Sequence, residues 1–311
     1  MQFLPWLLIF GVALATLLKS AQAFTALSER LGRHLGLSPF LVGLTVVAIG
    51  TSLPELLTGI MATAQGHTAM VAGNVLGANI TNILLIGGVT AWLTRRVVID
   101  TTAVESEMPL LFTLTTVLVL SIYDGQISRL ESVLLLLSYV LYARFLVHNG
   151  RIHHHVETVK HKGMDAKAWG FLALSLLGLY FGSEYTVKAL IELAGNFAVA
   201  PEILSMTVLA LGTTLPELVI SIQAARKNQY SLVLGNILGS NIFNGTVVLG
   251  LPALIHPLTV SAPVLQIGLP FLVLASFLFA FSKKSQPVLA VEGGLYLLLF
   301  FVFLGQSATL L

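Results

Sequence analysis

The 311-residue chain contains no cysteine. That excludes disulfides, thiolate nucleophiles, iron–sulfur clusters and Cys-based zinc sites together. Charge is scarce as well. Asp, Glu, Lys and Arg make up 10% of the residues, where soluble domains carry about 25%. A chain of this length would otherwise suggest about two soluble domains, but 16 basic and 14 acidic side chains could not cover them. The net charge of +2 gives no footprint for a nucleic-acid partner. The sequence also lacks His-Glu-x-x-His, Gly-x-Ser-x-Gly and Gly-x-Gly-Asp motifs, which argues against an intramembrane enzyme.

What is present is apolar. Hydrophobic residues make up 56% of the chain, and the mean hydropathy is +0.91. A bilayer-crossing helix needs about 20 apolar residues. Polar punctuation then predicts spans near 3–19, 39–63, 69–93, 107–123, 130–147, 168–188, 201–225, 231–254, 264–282 and 290–309. No basic residue precedes the first apolar run, which ends at Lys19. A cleaved signal peptide needs a positive n-region, so residues 3–20 read as a first span with its N-terminus outside. In that orientation 14 of the 16 basic residues fall inside, all but Arg129 and Lys188. Such an excess of inside Lys and Arg sets topology. The expectation is a multi-pass protein of the plasma (inner) membrane with both termini outside and a cytoplasmic central loop.

An internal repeat carries the chemical signal. Residues 45–82 align with 207–244 at a constant offset of 162, and 19 of 38 pairs are identical. The shared residues include Gly50/Gly212, Pro54/Pro216, Glu55/Glu217, Gly73/Gly235, Asn74/Asn236, Gly77/Gly239, Asn79/Asn241 and Asn82/Asn244. Five spans separate the copies, so an odd count predicts opposite orientations in the membrane. Inverted repeats with interrupted helices mark secondary transporters. The expected fold is therefore an all-α integral membrane protein of ten transmembrane helices. They form two inverted five-helix repeats with broken helices at spans two and seven. Residues 1–148 make the first repeat, 149–167 a cytoplasmic linker and 168–311 the second.

Each copy predicts a break and an oxygen cluster. Pro54 and Pro216 lack an N–H and clash with the carbonyls of Gly50 and Gly212. The helix should kink just before each Glu, and its freed carbonyls need partners in a membrane. Thr51 and Glu55 share a helix face, as do Thr213 and Glu217. The Gly-x-x-x-Gly pairs let backbones approach closely and should bring the Asn amides near the Glu of the preceding helix. An all-oxygen site of this kind suits hard cations. Glu55 and Glu217 are the acids placed deep within spans, with no buried Lys or Arg to pair with them. Intramembrane acids are functional by default. His153, His154 and His155 form a run in the inside loop and read as solvated.

Together these motifs resemble the cation/Ca²⁺ exchanger superfamily, and within it the bacterial and archaeal Na⁺/Ca²⁺ exchanger-like membrane proteins. The resemblance rests on Gly50-Thr-Ser-Leu-Pro-Glu55 with Gly73-Asn74 to Asn82, and on Gly212-Thr-Thr-Leu-Pro-Glu217 with Gly235-Asn236 to Asn244. It implies an antiporter that exchanges Na⁺ for Ca²⁺ by alternating access, with spans one and six sliding against the rest. It implies Glu55 and Glu217 as central ligands. Thr51, Thr213 and the carbonyls of Ala48 and Ala210 would add oxygens, and Ser52, Thr214, Ser240, Asn82 and Asn244 would complete neighbouring Na⁺ sites. The ions are cargo, so no cofactor is expected, and the partners are Ca²⁺, Na⁺ and the lipid bilayer, with no obligate protein partner. Two residues depart from the family pattern. Asn244 stands where some relatives, including K⁺-dependent exchangers, carry Asp, and Ala78 stands where Ser is frequent. H⁺-coupled or K⁺-dependent Ca²⁺ exchange is the alternative within transporters. A channel is the alternative outside them, and it needs no inverted repeat.

Overall fold

A computed structural model describes residues 3–94, 101–152, 164–194, 201–281 and 290–308. The His153–His155 run, Arg95, Arg96, Lys160, Lys162, Lys283 and Lys284 lie outside the described residues, as does most of the central loop. The described residues are almost entirely helical. In order it forms α1 (Phe3–Leu35), α2 (Pro39–Ala64), α3 (Thr68–Leu93), α4 (Thr101–Ile122) and α5 (Arg129–Ile152). There follow α6 (Ala166–Ala194), α7 (201–226), α8 (Tyr230–Ile255), α9 (Val264–Phe281) and α10 (Ala290–Ala308).

Among the described residues, seven helices are long and apolar enough to cross a membrane, or eight if the bent α7 counts as one span. The two expected spans that miss this test are four and six. The apolar part of α4 is the short stretch Glu107–Ile122, and α6 is not in the set. The chain is a multi-pass membrane protein, and the ten-span inverted arrangement stays an expectation.

One boundary differs markedly. Sequence punctuation ended the first span at residue 19, but α1 continues to Leu35 and carries Lys19, Arg30 and Arg33 on the helix. No proline follows Pro5 to stop it. It ends at Gly36, in a left-handed conformation with φ of 69°, and Leu37 N–H closes the turn on the Gly32 carbonyl at 2.8 Å. At about 1.5 Å per residue, α1 is roughly 50 Å long, well beyond the ~30 Å hydrocarbon core. It packs along α6 through small residues. Gly178 lies against Ser20, and Gly182 against the Leu17 backbone.

The innermost helices are the two Gly-Asn segments. The most apolar stretch of α8 is 100% buried and that of α3 is 83% buried, against 17% for α1 and for α5. The repeat is visible in backbone irregularities too. A wider, π-type turn at Gly43–Val47 recurs at Ser205–Leu209, and one at Thr81–Ile86 recurs at Asn244–Val248. Such turns cluster at functional sites. A two-residue ladder, Gln126–Ile127 (β1) against Leu258–Thr259 (β2), was not anticipated. It joins the loop after α4 to the loop after α8 on one side of the molecule.

Candidate functional site

The helix breaks fall where the prolines require them. α2 is interrupted at Ser52 and restarts as Leu53–Ala64, and α7 is interrupted at Thr214 and restarts as Leu215–Arg226. The two halves of α7 bend by 49°. Glu55 and Glu217 therefore sit in the first turn of a new helix. There the unsatisfied N–H groups and the positive end of the helix dipole favour a carboxylate. This local field offsets part of the cost of burying an acid with no basic residue beside it. Glu55 is 0% and Glu217 is 1% exposed. All eleven candidate residues are buried: Glu55, Glu217, Thr51, Thr213, Ala48, Ala210, Ser52, Thr214, Ser240, Asn82 and Asn244.

The copies are woven together rather than each forming its own cluster. A Cβ on Gly77 would run into the Met206 carbonyl and stand 2.7 Å from Ala210 Cβ. A Cβ on Gly239 would meet the Leu44 carbonyl and stand 2.6 Å from Ala48 Cβ. These two contacts are equivalent under the 162 offset. The glycines thus seat each Gly-Asn helix on the broken helix of the other copy, in addition to the preceding helix that sequence reasoning named. Isologous contacts of this kind accompany a two-fold relation. The Asn79 amide also donates to the Asn241 carbonyl at 3.1 Å, a bond between equivalent positions of the two copies.

The crossing reaches the acids. The Ser52 hydroxyl donates to Glu217 Oε1 at 3.0 Å, and Thr51 and Ser240 adjoin the same carboxylate. The Thr213 hydroxyl adjoins Glu55 and donates to Asn74 Oδ1 at 3.4 Å. Hydroxyls of the opposite copy thus reach each acid, a crossing that the expectation of a cluster within each copy did not include. Each acid takes a threonine from the opposite copy, because the interlocked glycines set the two breaks side by side. Glu55 and Glu217 are close enough to repel one another.

Several polar atoms here are buried without a protein partner: both Glu55 oxygens, Glu217 Oε2, Ser240 Oγ, and both side-chain polar atoms of Asn82 and of Asn244. Buried polar groups are normally hydrogen-bonded, and unpaired acids inside a membrane are costly. An orphaned set dominated by oxygen fits hard cations. The backbone carbonyls are more occupied than expected. Ala48 O accepts the Ser52 N–H at 3.0 Å and the Thr51 hydroxyl at 3.2 Å. Ala210 O accepts the Thr214 N–H at 3.1 Å and the hydroxyls of Thr213 and Thr214. The carbonyl freed at Gly212 already accepts the Ser183 hydroxyl of α6 at 2.6 Å. Sequence reasoning missed Ser183, since nothing in a single sequence ties α6 to the break in α7. Asn74 was visible in the repeat but not assigned to the site. Among the described residues no group of three or more His, Cys, Asp or Glu comes together, so the site carries two carboxylates.

An open cleft of about 550 Å³ leads to this region. It is lined by Pro54, Gly212 and Thr213 at the helix breaks, and by His67, Glu184 and Lys188 toward the surface.

Paired broken helices with an acid at each break define a secondary transporter. The description "Sodium/calcium exchanger protein" fits the family model that matches residues 5–148 and 167–307. The chain belongs to that family of membrane antiporters. It is 34% identical over 294 residues to the inner membrane protein YrbG of Escherichia coli, covering 90% of each chain. It is 31% identical to the sodium/calcium exchanger MaX1 of Methanosarcina acetivorans, covering 96% of this chain and 97% of that one. A solved structure of the sodium-calcium exchanger NCX_Mj superposes with a TM-score of 0.83 at 28% identity, over 97% of this chain and 99% of that chain.

Proposed function

We propose that the protein is a Na⁺-driven Ca²⁺ antiporter working by alternating access. The observation that carries this is the orphaned oxygen cluster around Glu55 and Glu217, buried where the two copies cross. Ca²⁺ would sit between the two carboxylates. Two negative charges match one divalent ion, and each carboxylate has an oxygen free to bind it. Thr51 and Thr213 would add hydroxyl oxygens, and Ala48 and Ala210 carbonyl oxygens once the hydroxyls now bonded to them turn away. Ser52, Thr214, Ser240, Asn82 and Asn244 would complete Na⁺ sites around that centre. Filling the sites with Na⁺ and with Ca²⁺ in turn would give exchange, because the same carboxylates cannot hold both loads.

The reciprocal contacts of Gly77 and Gly239 support two inverted five-helix repeats, 1–148 and 168–311, and the β1–β2 ladder fits a layout in which the loops after spans four and eight share one face. On this reading both termini lie outside, the linker 149–167 is cytoplasmic, and α1 and α6 slide as a pair against the rest. The relatives' names supply Na⁺ and Ca²⁺ as the ions. One observation favours H⁺ coupling as the second reading: Ala78 leaves the Glu55 half without the hydroxyl that Ser240 gives the other.

The deciding measurement is ⁴⁵Ca²⁺ uptake into vesicles under imposed Na⁺, H⁺ or K⁺ gradients. Uptake driven by a Na⁺ gradient at constant pH is expected. Uptake that follows the pH gradient alone would replace this reading with the second.

A further inference from the structure

The cleft that reaches Thr213 contains a charged pair that the exchange reaction has not yet used. Glu184 and Lys188 lie one turn apart on α6, with Lys188 Nζ 2.5 Å from Glu184 Oε1. Their side chains are 32% and 53% exposed. The ammonium also lies 5.3 Å from the centre of the Tyr185 ring. The next residue inward on the helix, Ser183, holds the Gly212 carbonyl at the α7 break. One stretch of α6 therefore connects the surface of the cleft with the edge of the ion site.

Among the described residues lining the cleft, Glu184 is the one carboxylate and Lys188 the one permanent cation, with His67 and Tyr180 the other titratable groups. A cation entering by this route meets Glu184 first. We propose that Glu184 is a capture site for the incoming divalent cation, and that Lys188 sets its strength by competing for the same carboxylate. This rests on the reading of the protein as a Ca²⁺ exchanger.

The competition is physically reasonable. An exposed pair at this spacing contributes about 1 kcal/mol or less, so a divalent ion can displace the ammonium. Lys188 then has the face of Tyr185 to fall back on, an arrangement aromatic rings favour for cations. The exchange needs no large motion of the helix. A weak outer site also raises the local cation concentration at the mouth without trapping the ion.

The test compares Glu184→Gln, Lys188→Gln and the double variant in proteoliposomes. The readout is Ca²⁺–Ca²⁺ exchange at equal Na⁺ and equal pH on both sides, which does not depend on the coupling ion. Expected shifts in the KM for Ca²⁺ on the cleft side are roughly two- to fivefold, upward for Glu184→Gln and downward for Lys188→Gln. The double variant should fall between them, kcat should hold, and the spread should collapse when choline chloride raises the ionic strength. A merely structural role for the pair predicts one direction for both single variants and no salt dependence. Either that pattern or an unmoved KM overturns the capture site while leaving the exchanger reading intact. Absence of any Ca²⁺ flux in the unmodified protein overturns both.

Discussion

The two copies of the repeat share their motif but not their state. Around Glu217 the hydroxyls of Ser52, Thr51 and Ser240 gather, and Ser52 donates a formed hydrogen bond. Around Glu55 the structure brings Thr213, and neither carboxylate oxygen has a partner. The breaks are held differently too. The Gly212 carbonyl is tied to α6 by Ser183, whereas Gly50 packs against the Phe24 ring of α1. A duplicated motif has thus become one carboxylate with a formed side-chain hydrogen bond and one with none. The bare acid is the better candidate for the group that responds most to cation loading.

The largest expected effect tests whether that difference extends to function. Glu55→Gln and Glu217→Gln should each reduce ⁴⁵Ca²⁺ exchange to background while the protein still inserts in the membrane. Removing one of two charges that together match a divalent ion leaves the site short of charge by one unit, and the amide cannot replace it. Wild-type flux in either variant would take that residue out of the site and leave its copy structural.

The next effect probes the interlock that creates the comparison. Gly77→Ala and Gly239→Ala each place a methyl group against backbone of the other copy. Overpacking of this kind costs about 1–3 kcal/mol. Both variants should give less monodisperse protein in detergent and a lower Tm, by similar amounts. A large disparity between them would show that the two seams are not equivalent.

How much of this was legible in the sequence follows from the range of each interaction. The prolines acting on their own helix predicted a break before each Glu, and the structure has them at Ser52 and Thr214, three residues ahead of Glu55 and Glu217. The repeat and its acids were legible because identity at fixed spacing is a one-dimensional signal. The crossing was not. Thr51 and Glu55 share a face of a continuous helix, but only the fold shows that Ser52 reaches Glu217 and that Thr213 adjoins Glu55. The length of α1 was hidden because its basic residues, Lys19, Arg30 and Arg33, read as a loop although nothing local stops the helix before Gly36. Ser183 reaches Gly212 across 29 residues of sequence, and no local pattern announces such a bond.

A smaller effect separates the two pre-break hydroxyls. Ser52→Ala deprives Glu217 Oε1 of its donor, and an unsatisfied buried acceptor costs about 1–3 kcal/mol. Thr214→Ala removes a hydroxyl that bonds only its own helix, at Ala210 O. Thermal unfolding without Ca²⁺ should therefore drop further for Ser52→Ala. Saturating Ca²⁺ should narrow the gap, because a ligand bound only by the folded state compensates for the missing donor. Equal losses that Ca²⁺ leaves unchanged would mean the Ser52 bond is not part of the ion site.

The smallest expected effect is a gain. Ala78 and Ser240 are equivalent under the offset, and both are fully buried. Ala78→Ser would give the Glu55 half the hydroxyl that the Glu217 half already has. The added oxygen is small enough for a position that Ser240 fills in the other copy, and under the offset a hydroxyl there would stand to Glu55 as Ser240 stands to Glu217. A hydrogen bond or ligand of this size is worth about 1 kcal/mol, roughly fivefold in affinity. On the proposed reading the hydroxyls serve the Na⁺ sites, whereas the two carboxylates carry Ca²⁺ binding. The variant should therefore lower the Na⁺ concentration needed for half-maximal Ca²⁺ release and leave the KM for Ca²⁺ unchanged. If both ions tighten together, the copies differ in general packing at this position. If only Na⁺ tightens, the missing hydroxyl at Ala78 is what limits Na⁺ binding beside Glu55.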